Sequence, residues 1–578
     1  MEKRSLSEDM RIQCELKQFK SDMAVWINSQ YNFECNDFLD QFSVGIPTTK
    51  IFSGMEFFGN YITAYAERYG GTGCGSNGGG ARSCNVNRYQ LKGVGANFLV
   101  GKNANDWHSH GVQNISEAAT EIVYSNVLSS LLPFGTVGCV GLIATGEKLG
   151  YFTDDVNATS FLPCWGAILV REVCVRPAHF FRVRNFIPKQ IHTAALCNDS
   201  ARIRKIHKAQ YAEDGGVEGF IQYMTNFLKR SASQFAFANI MRIAHHTLTP
   251  SNIAVDGRWL DLTSASFLNN ADNYVIGTNA CFQNEHKVIL SILHEWVATF
   301  SKFNRLKMNS LAFVRYYEEA YRQEFHFHAH YFLGLPQNTL SQSNESTCTD
   351  TVIEDINRLI NAVRPSVDNL PMELEKHDRV LLYLQGLYAP SFVASNSLVS
   401  KMVFDAFQAC LDLSYKRYNS KEVSKIGFIL SSALLSIKRL FVSSYYYRGR
   451  IKPILDRKML SSDLAGIRNF ICDSEKFNAW AFDGVSQHKL TLFESEAVRL
   501  QFDLKECKFL LSDLNCFKTV IYDSAEQALE ILHTLLNGSV LLQEFDFDDY
   551  LTEINSVCSR YYSLSPDLDE GQPYRPSK

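Results

Sequence analysis

Seven of the fourteen residues from Tyr69 to Arg82 are glycine. A regular helix or strand does not run through such a stretch, because glycine loses the most backbone freedom on ordering. The chain is therefore cut there into differently organised parts. Glycine also lets backbone N–H groups approach an anion without obstruction by Cβ. Two readings follow: a flexible connector, or a phosphate cradle made by Gly78, Gly79 and Gly80 with Arg82 beside it. Ten residues beyond Arg82 lies Lys92, in the short β-rich run Tyr89-Gln90-Leu91-Lys92. A lysine on a half-buried strand needs an anionic partner. That partner is either a nucleotide phosphate or a surface carboxylate reached by a snorkelling side chain.

The rest of the chain divides around this region. With 578 residues it exceeds one hydrophobic core, so two or three domains are expected. Residues 1–50 read as a helical extension of mixed polarity. Residues 51–190 read as an α+β lobe on a sheet. Its strands are Tyr89–Lys92, Gly138–Ile143 and Ala167–Val173, with a helix spanning Ile115 to Leu132. Helices dominate 191–336, a polar linker fills 337–350, and 351–563 is largely helical by apolar periodicity. The Pro-containing tail 564–578 reads as disordered.

Within 191–336 one segment breaks the helical pattern. Ile253-Ala254-Val255 and Trp259-Leu260-Asp261-Leu262 flank Asp256-Gly257, a good hairpin signal. Such a hairpin brings Asn252 and Asp261 together as two oxygen ligands, the way kinase-type cores hold magnesium between phosphates. The plainer alternative is a turn with solvated Asn and Asp. Upstream, Arg171 ends an apolar run, and Arg176 and Arg182 follow. Arg171 and Arg182 suit phosphates as guanidinium forks; an exposed basic strand edge is the other reading.

Taken in order, these segments resemble selenoprotein O, a kinase-fold family that transfers AMP rather than phosphate. The resemblance spans roughly Gly54 to Asn284. It rests on the glycine run ending Gly-Ala-Arg, on Gln90-Leu91-Lys92-Gly93-Val94-Gly95, and on Ala144-Thr145-Gly146-Glu147. Gly166-Ala167-Ile168-Leu169-Val170-Arg171 and His245…Asn252…Asp261 complete it. It implies a kinase-like two-lobed core with ATP and Mg2+ as cofactors. Lys92, Arg171 and Arg182 would hold phosphates, and Asn252 and Asp261 would hold the metal. Two positions depart from the family pattern. Its helix glutamate falls at Asn126, with Glu121 or Glu117 as substitutes if the register shifts. Its catalytic Asp is Ser251 here, so a hydroxyl nucleophile would lack a base. A carboxylate nucleophile needs none, being ionised at neutral pH.

The glycine run, the Lys-Gly-Val-Gly strand and Trp107-His108-Ser109-His110-Gly111 also resemble microcin-maturation proteins of the MchC/MceJ type. That resemblance implies a precursor peptide (a microcin), a glucosylated catechol siderophore and an acyltransferase-like partner. The chain would adenylate the peptide's C-terminal carboxylate. A non-catalytic nucleotide-binding pseudokinase scaffold, or AMP transfer to hydroxyl side chains, are the alternatives.

Other features constrain less. Net charge is −4, which gives no footprint for nucleic acid or an anionic membrane. Fifteen cysteines occur without a CxxC, so zinc knuckles are not indicated. The N-terminus has no signal-peptide run, and Val137–Ala144, read as the most apolar stretch, is too short to span a bilayer. A cytoplasmic protein is expected. His108 and His110 read as surface or substrate-contacting loop residues. His326, His328 and His330 read as part of a packed amphipathic segment rather than a zinc site. Tyr445-Tyr446-Tyr447-Arg448-Gly449-Arg450 reads as a helix end or a partner surface.

Overall fold

In a computed structural model, the described residues are 5–21, 23–105, 109–153, 162–189, 192, 196–268, 282–336, 346–361, 379–388, 398–418, 422–536 and 547–563. His108, most of the expected linker and the tail lie outside them. Within the linker, residues 346–350 already belong to a helix.

The fold is α+β, with two antiparallel sheets of five or more strands among many helices. The larger has nine strands. They are β1 (Arg11–Phe19), β2 (Ala24–Ile27), β3 (Val44–Gly45), β4 (Phe57–Glu67), β5 (Ser83–Val86), β6 (Tyr89–Lys92), β7 (Gln113–Asn114), β8 (Cys139–Phe152) and β9 (Leu162–Glu172). The order is β2-β8-β9-β6-β5-β4-β1-β3, with β7 beside β9. Residues 1–50 are thus no helical extension. Among the described residues they supply one α-helix, α1 (Cys35–Phe42), short 3-10 turns and three strands. The signal is the period of two in β1, where Cys14 and Leu16 are buried while Gln13 and Glu15 are not.

Central strands are covered on both faces. Ile168 and Val170 enter one core with Leu91 and Phe38, while Ala167 and Leu169 enter the other. Against the second face lies α2 (Ile115–Leu131), capped where Asn114 Oδ1 accepts the Glu117 N–H at 2.8 Å. Twelve of its residues are buried, so it is enclosed by protein rather than laid on a surface.

Helices α3 (Asp199–Glu213), α4 (Val217–Ile240), α5 (Val288–Asn304) and α6 (Ser310–Phe332) follow, with a two-stranded sheet, β10 (Ile243–Ala244) and β11 (Ser266–Phe267), between α4 and α5. The histidines of α6 are engaged. His328 hydrogen-bonds Ser233 at 3.0 Å, His330 meets the Phe327 carbonyl, and His326 lies 3.7 Å from Asp350.

Beyond come α7 (Ser346–Asn361), α8 (Arg379–Tyr388), α9 (Lys401–Tyr418), α10 (Lys425–Tyr445), α11 (Arg448–Leu460) and α12 (Leu464–Ala481). The chain does not stay helical to 563. A five-stranded sheet intervenes: β12 (Val485–Ser486), β13 (Lys489–Glu494), β14 (Val498–Asp503), β15 (Lys508–Asp513) and β16 (Lys518–Tyr522). These strands run β12-β13-β14-β15-β16 through tight turns, and β14 alternates buried and half-buried residues. Helices α13 (Ala525–Leu536) and α14 (Phe547–Ser563) close the described chain.

The stretch Lys425–Leu460 is long and apolar enough to cross a membrane by length and composition. Its most apolar window is 83% buried, so those side chains pack against protein. Lys438 lies inside it. Its Nζ donates to the carbonyls of Asp483 (3.1 Å) and Thr491 (2.7 Å). Burial, then neighbouring Arg439, lowers its pKa to about 7. The folded value lies below that of a free lysine, near 10.4. From about pH 7 to about pH 10 the unfolded chain therefore binds more protons, and stability rises with pH. Wild type is expected to gain stability over Lys438→Met across that window, measured by paired urea unfolding curves.

Candidate active site: a lysine between two carboxylates

Lys92 ends β6, next to Leu169 of β9 in the sheet register. Its Nζ donates to Glu121 Oε2 of α2 at 2.8 Å, and it also bonds Asp261 Oδ1. The lysine and Glu121 side chains are almost fully buried, whereas the Asp261 carboxylate is one-third exposed. Glu121, not Asn126, is thus the helix partner. Asn126 turns away and donates to Glu475 Oε1 at 2.8 Å. The five-residue difference follows from helical rotation, since only one face of α2 meets β6.

Arg171 pairs Glu121 through its second oxygen and donates from Nε to Gln90 Oε1 at 2.8 Å. Arg176 reaches the same Gln90 oxygen at 3.1 Å, Glu67 Oε2 at 3.3 Å and the Ser251 carbonyl at 3.1 Å. Glu67 also accepts from Asn85 Nδ2 at 3.0 Å and from Gln90 Nε2. These groups form a continuous buried polar layer beneath Lys92. Arg182 is absent from it: its side chain is exposed, and its carbonyl accepts the Gly71 N–H at 3.2 Å. The second buried arginine beside the site is Arg176. Its sequence signal was the Arg176-Pro177 turn just after β9, where strand alternation no longer applies.

The hairpin forms as expected. Ile253 bridges Trp259, Ala254 N donates to Arg258 O (2.8 Å), and Gly257 takes φ +90°. Leu260 N donates to Asn252 O at 3.2 Å, so Asn252 and the residue before Asp261 are register partners. Arg258 anchors the tip to Glu172 of β9 at 2.6 Å. His245 Nε2 meets the Leu260 carbonyl at 3.0 Å, and burial lowers the histidine's pKa. Asp261 adopts left-handed φ of +61°, which aspartate tolerates better than most residues. Burial works against its charge, but Lys92, Arg171 and Arg82 outweigh it and hold the carboxyl well below the usual range. Asn252 Nδ2 donates to Thr247 O (2.8 Å), and its Oδ1 accepts from Ser251 Oγ (3.2 Å).

The glycine run packs rather than gapes. Gly78 N donates to Leu99 O and Gly80 N to Glu67 O, so these two amides are engaged within the protein. Gly79 has φ +134°, and a methyl there would come within 2.2 Å of Glu67 O. A methyl at Gly73 would meet Thr249 Oγ1 at 2.7 Å. The run therefore lies against the segment leading into Ser251 and Asn252. Arg82, half-buried, comes near enough to Asp261 to help hold it ionised.

Among the described residues no cluster of three or more His, Cys, Asp or Glu is placed to hold a metal. No protein-family model matches the chain, and no curated protein matches it by sequence.

Proposed function

We propose that the chain binds magnesium–ATP in a kinase-like cleft and transfers AMP to a carboxylate. The observation carrying this reading is Lys92 between Glu121 and Asp261. A strand lysine paired to a helix glutamate is how kinase-type cores position phosphates. Lys92, Arg171 and Arg82 would face the phosphates. Asn252 and Asp261 would hold magnesium, which keeps waters and phosphate oxygens for its other positions and so needs few protein ligands. The metal would neutralise charge on the phosphates.

Ser251 supports a carboxylate acceptor. No base stands there, and a carboxylate needs no deprotonation. A carboxylate oxygen attacks the α-phosphorus, the bond to the β-phosphate oxygen breaks, and pyrophosphate leaves. The acyl adenylate then yields AMP when a hydroxyl attacks its carbonyl carbon. The resemblance to microcin maturation supplies the substrates: a precursor peptide's C-terminus, a glucosylated catechol siderophore as hydroxyl donor, and an acyltransferase-like protein as partner.

One observation favours a second reading, a nucleotide-binding scaffold without turnover: Ser251 Oγ already occupies Asn252 Oδ1, the oxygen a metal would take. Incubation of protein, peptide, partner and glucosylated catechol siderophore with α-labelled ATP separates the two. Peptide adenylate and AMP are expected, and Lys92→Ala should abolish both. ADP alone, or bound ATP that is never turned over, sinks the adenylation reading.

A further inference from the structure

The aromatic-basic run at 445–450 has no part in the cleft chemistry above, yet the fold brings it to a telling position. The corner between α10 and α11 lies between the two elements that hold Lys92. On one side is α2, which carries Glu121. Tyr124, one turn further along α2 and fully buried, donates its hydroxyl to the Tyr446 carbonyl at 2.6 Å. On the other side is the segment after Asp261: a 3-10 turn (Leu262–Ser264) and the short strand Ser266–Phe267. There the Arg448 N–H donates to Ser266 Oγ at 2.9 Å, Arg448 Nε to the Thr263 carbonyl at 3.2 Å, and Phe267 N to that same Tyr446 carbonyl at 3.4 Å.

We propose that the Tyr446–Arg448 corner is a staple that sets the separation of Glu121 and Asp261, and with it the position of Lys92. Tyr124, Ser266 and Arg448 would be positioning residues, acting through α2 and the segment after Asp261. Two carboxylates on different elements bond one ammonium. The two elements pack directly, α2 against the Leu262–Ser264 turn, and the corner bonds both from behind within a few residues of each carboxylate. Further bonds hold α2 along its length. Ser116 Oγ donates to Asp456 at 2.6 Å near its start, and Asn478 Nδ2 donates to Ser130 Oγ at 3.0 Å near its end. Among the described residues, the corner is where one carbonyl accepts from both α2 and the Asp261 segment.

The magnesium part of this proposal rests on the nucleotide reading of the cleft; the staple itself does not. The test compares full-length wild type, Tyr124→Phe, Ser266→Ala, the double variant, and Ser130→Ala as a control at the far end of α2. Hydrogen exchange without nucleotide is followed in peptides covering 117–128 and 259–268. ATP affinity is measured with and without magnesium. In the double variant, both peptides are expected to exchange faster together. Affinity with magnesium should fall about tenfold, and the enhancement that magnesium gives should shrink. Ser130→Ala should change neither. A role confined to stability would lower the melting temperature but leave the magnesium enhancement intact, and that result overturns the proposal. So does faster exchange in only one of the two peptides. If wild type binds no ATP, the nucleotide reading fails, and the paired exchange alone decides the staple.

Discussion

Asp261→Asn is expected to abolish magnesium-dependent nucleotide binding while leaving the protein folded. The substitution keeps size and shape, and asparagine accepts the left-handed backbone as readily as aspartate. What disappears is the negative charge that Lys92, Arg171 and Arg82 hold ionised. Groups that merely orient a metal ligand are worth about 10–100-fold in metal affinity. Removing a ligand's charge should therefore lower magnesium-dependent affinity by about 100-fold or more. Folding should change little. The carboxylate is one-third exposed, and Lys92 keeps its buried bond to Glu121. Titration calorimetry with ATP, with and without magnesium, reads the effect directly. An unchanged magnesium dependence would mean that Asp261 is only a structural partner of Lys92.

Glu67→Gln should produce the largest loss of stability among the polar residues near the site. Glu67 is fully buried and bonds Arg176, His179, Asn85 and Gln90 at once. Burial alone would raise its pKa, but Arg176, His179 and Asn85 overcome that and bring it to about 2. Neutralising it leaves the Arg176 guanidinium in a dry layer without its counter-charge. Breaking a buried pair in this way costs about 3–5 kcal/mol. The pH dependence has a definite sign. The folded pKa lies below the unfolded one, so the stabilisation is complete above about pH 4.5 and is lost as pH falls toward about 2. Wild type should therefore lose its advantage over Glu67→Gln in that acid window. Urea unfolding at neutral and acid pH, followed by tryptophan fluorescence, would show two curves converging. Curves that stay equally far apart would show that the carboxylate's charge contributes nothing.

The parts of this site legible in the sequence were those fixed by local rules. Asp256-Gly257 between apolar runs specified a hairpin, and the hairpin alone places Asn252 near the strand leading to Asp261. Lys92 in a short β-rich run specified a strand lysine in need of a carboxylate or phosphate. What stayed hidden depended on rotation or on distant contacts. The partner of Lys92 was displaced by five residues because which face of α2 meets β6 is decided by packing on all sides. Arg176, and not Arg182, turns into the site because, past the end of β9, direction is set by its pairing with Glu67, which lies 109 residues before Arg176 in the chain. The strands near the N-terminus and at 485–522 alternate polar and apolar residues over only a few positions. In a chain rich in helical periodicity such short alternation is easily read as noise.

The contact between the glycine run and Thr249–Pro250 has a kinetic meaning. By composition this is the most pliable stretch of the chain, yet Gly73 is seated so closely against Thr249 that a methyl group there would collide, and Gly71, in ordinary contact with Pro250, is closed in the same way by Phe181. The rim of the proposed cleft would thus be latched on one side. A ligand behind a latch exchanges at the rate at which the latch opens, and loop openings of this kind take microseconds to milliseconds. Under the nucleotide reading proposed above, residence time and affinity would become separable quantities: the charges around Lys92 would determine how tightly an anion is held, and the glycine seam how often it is let go.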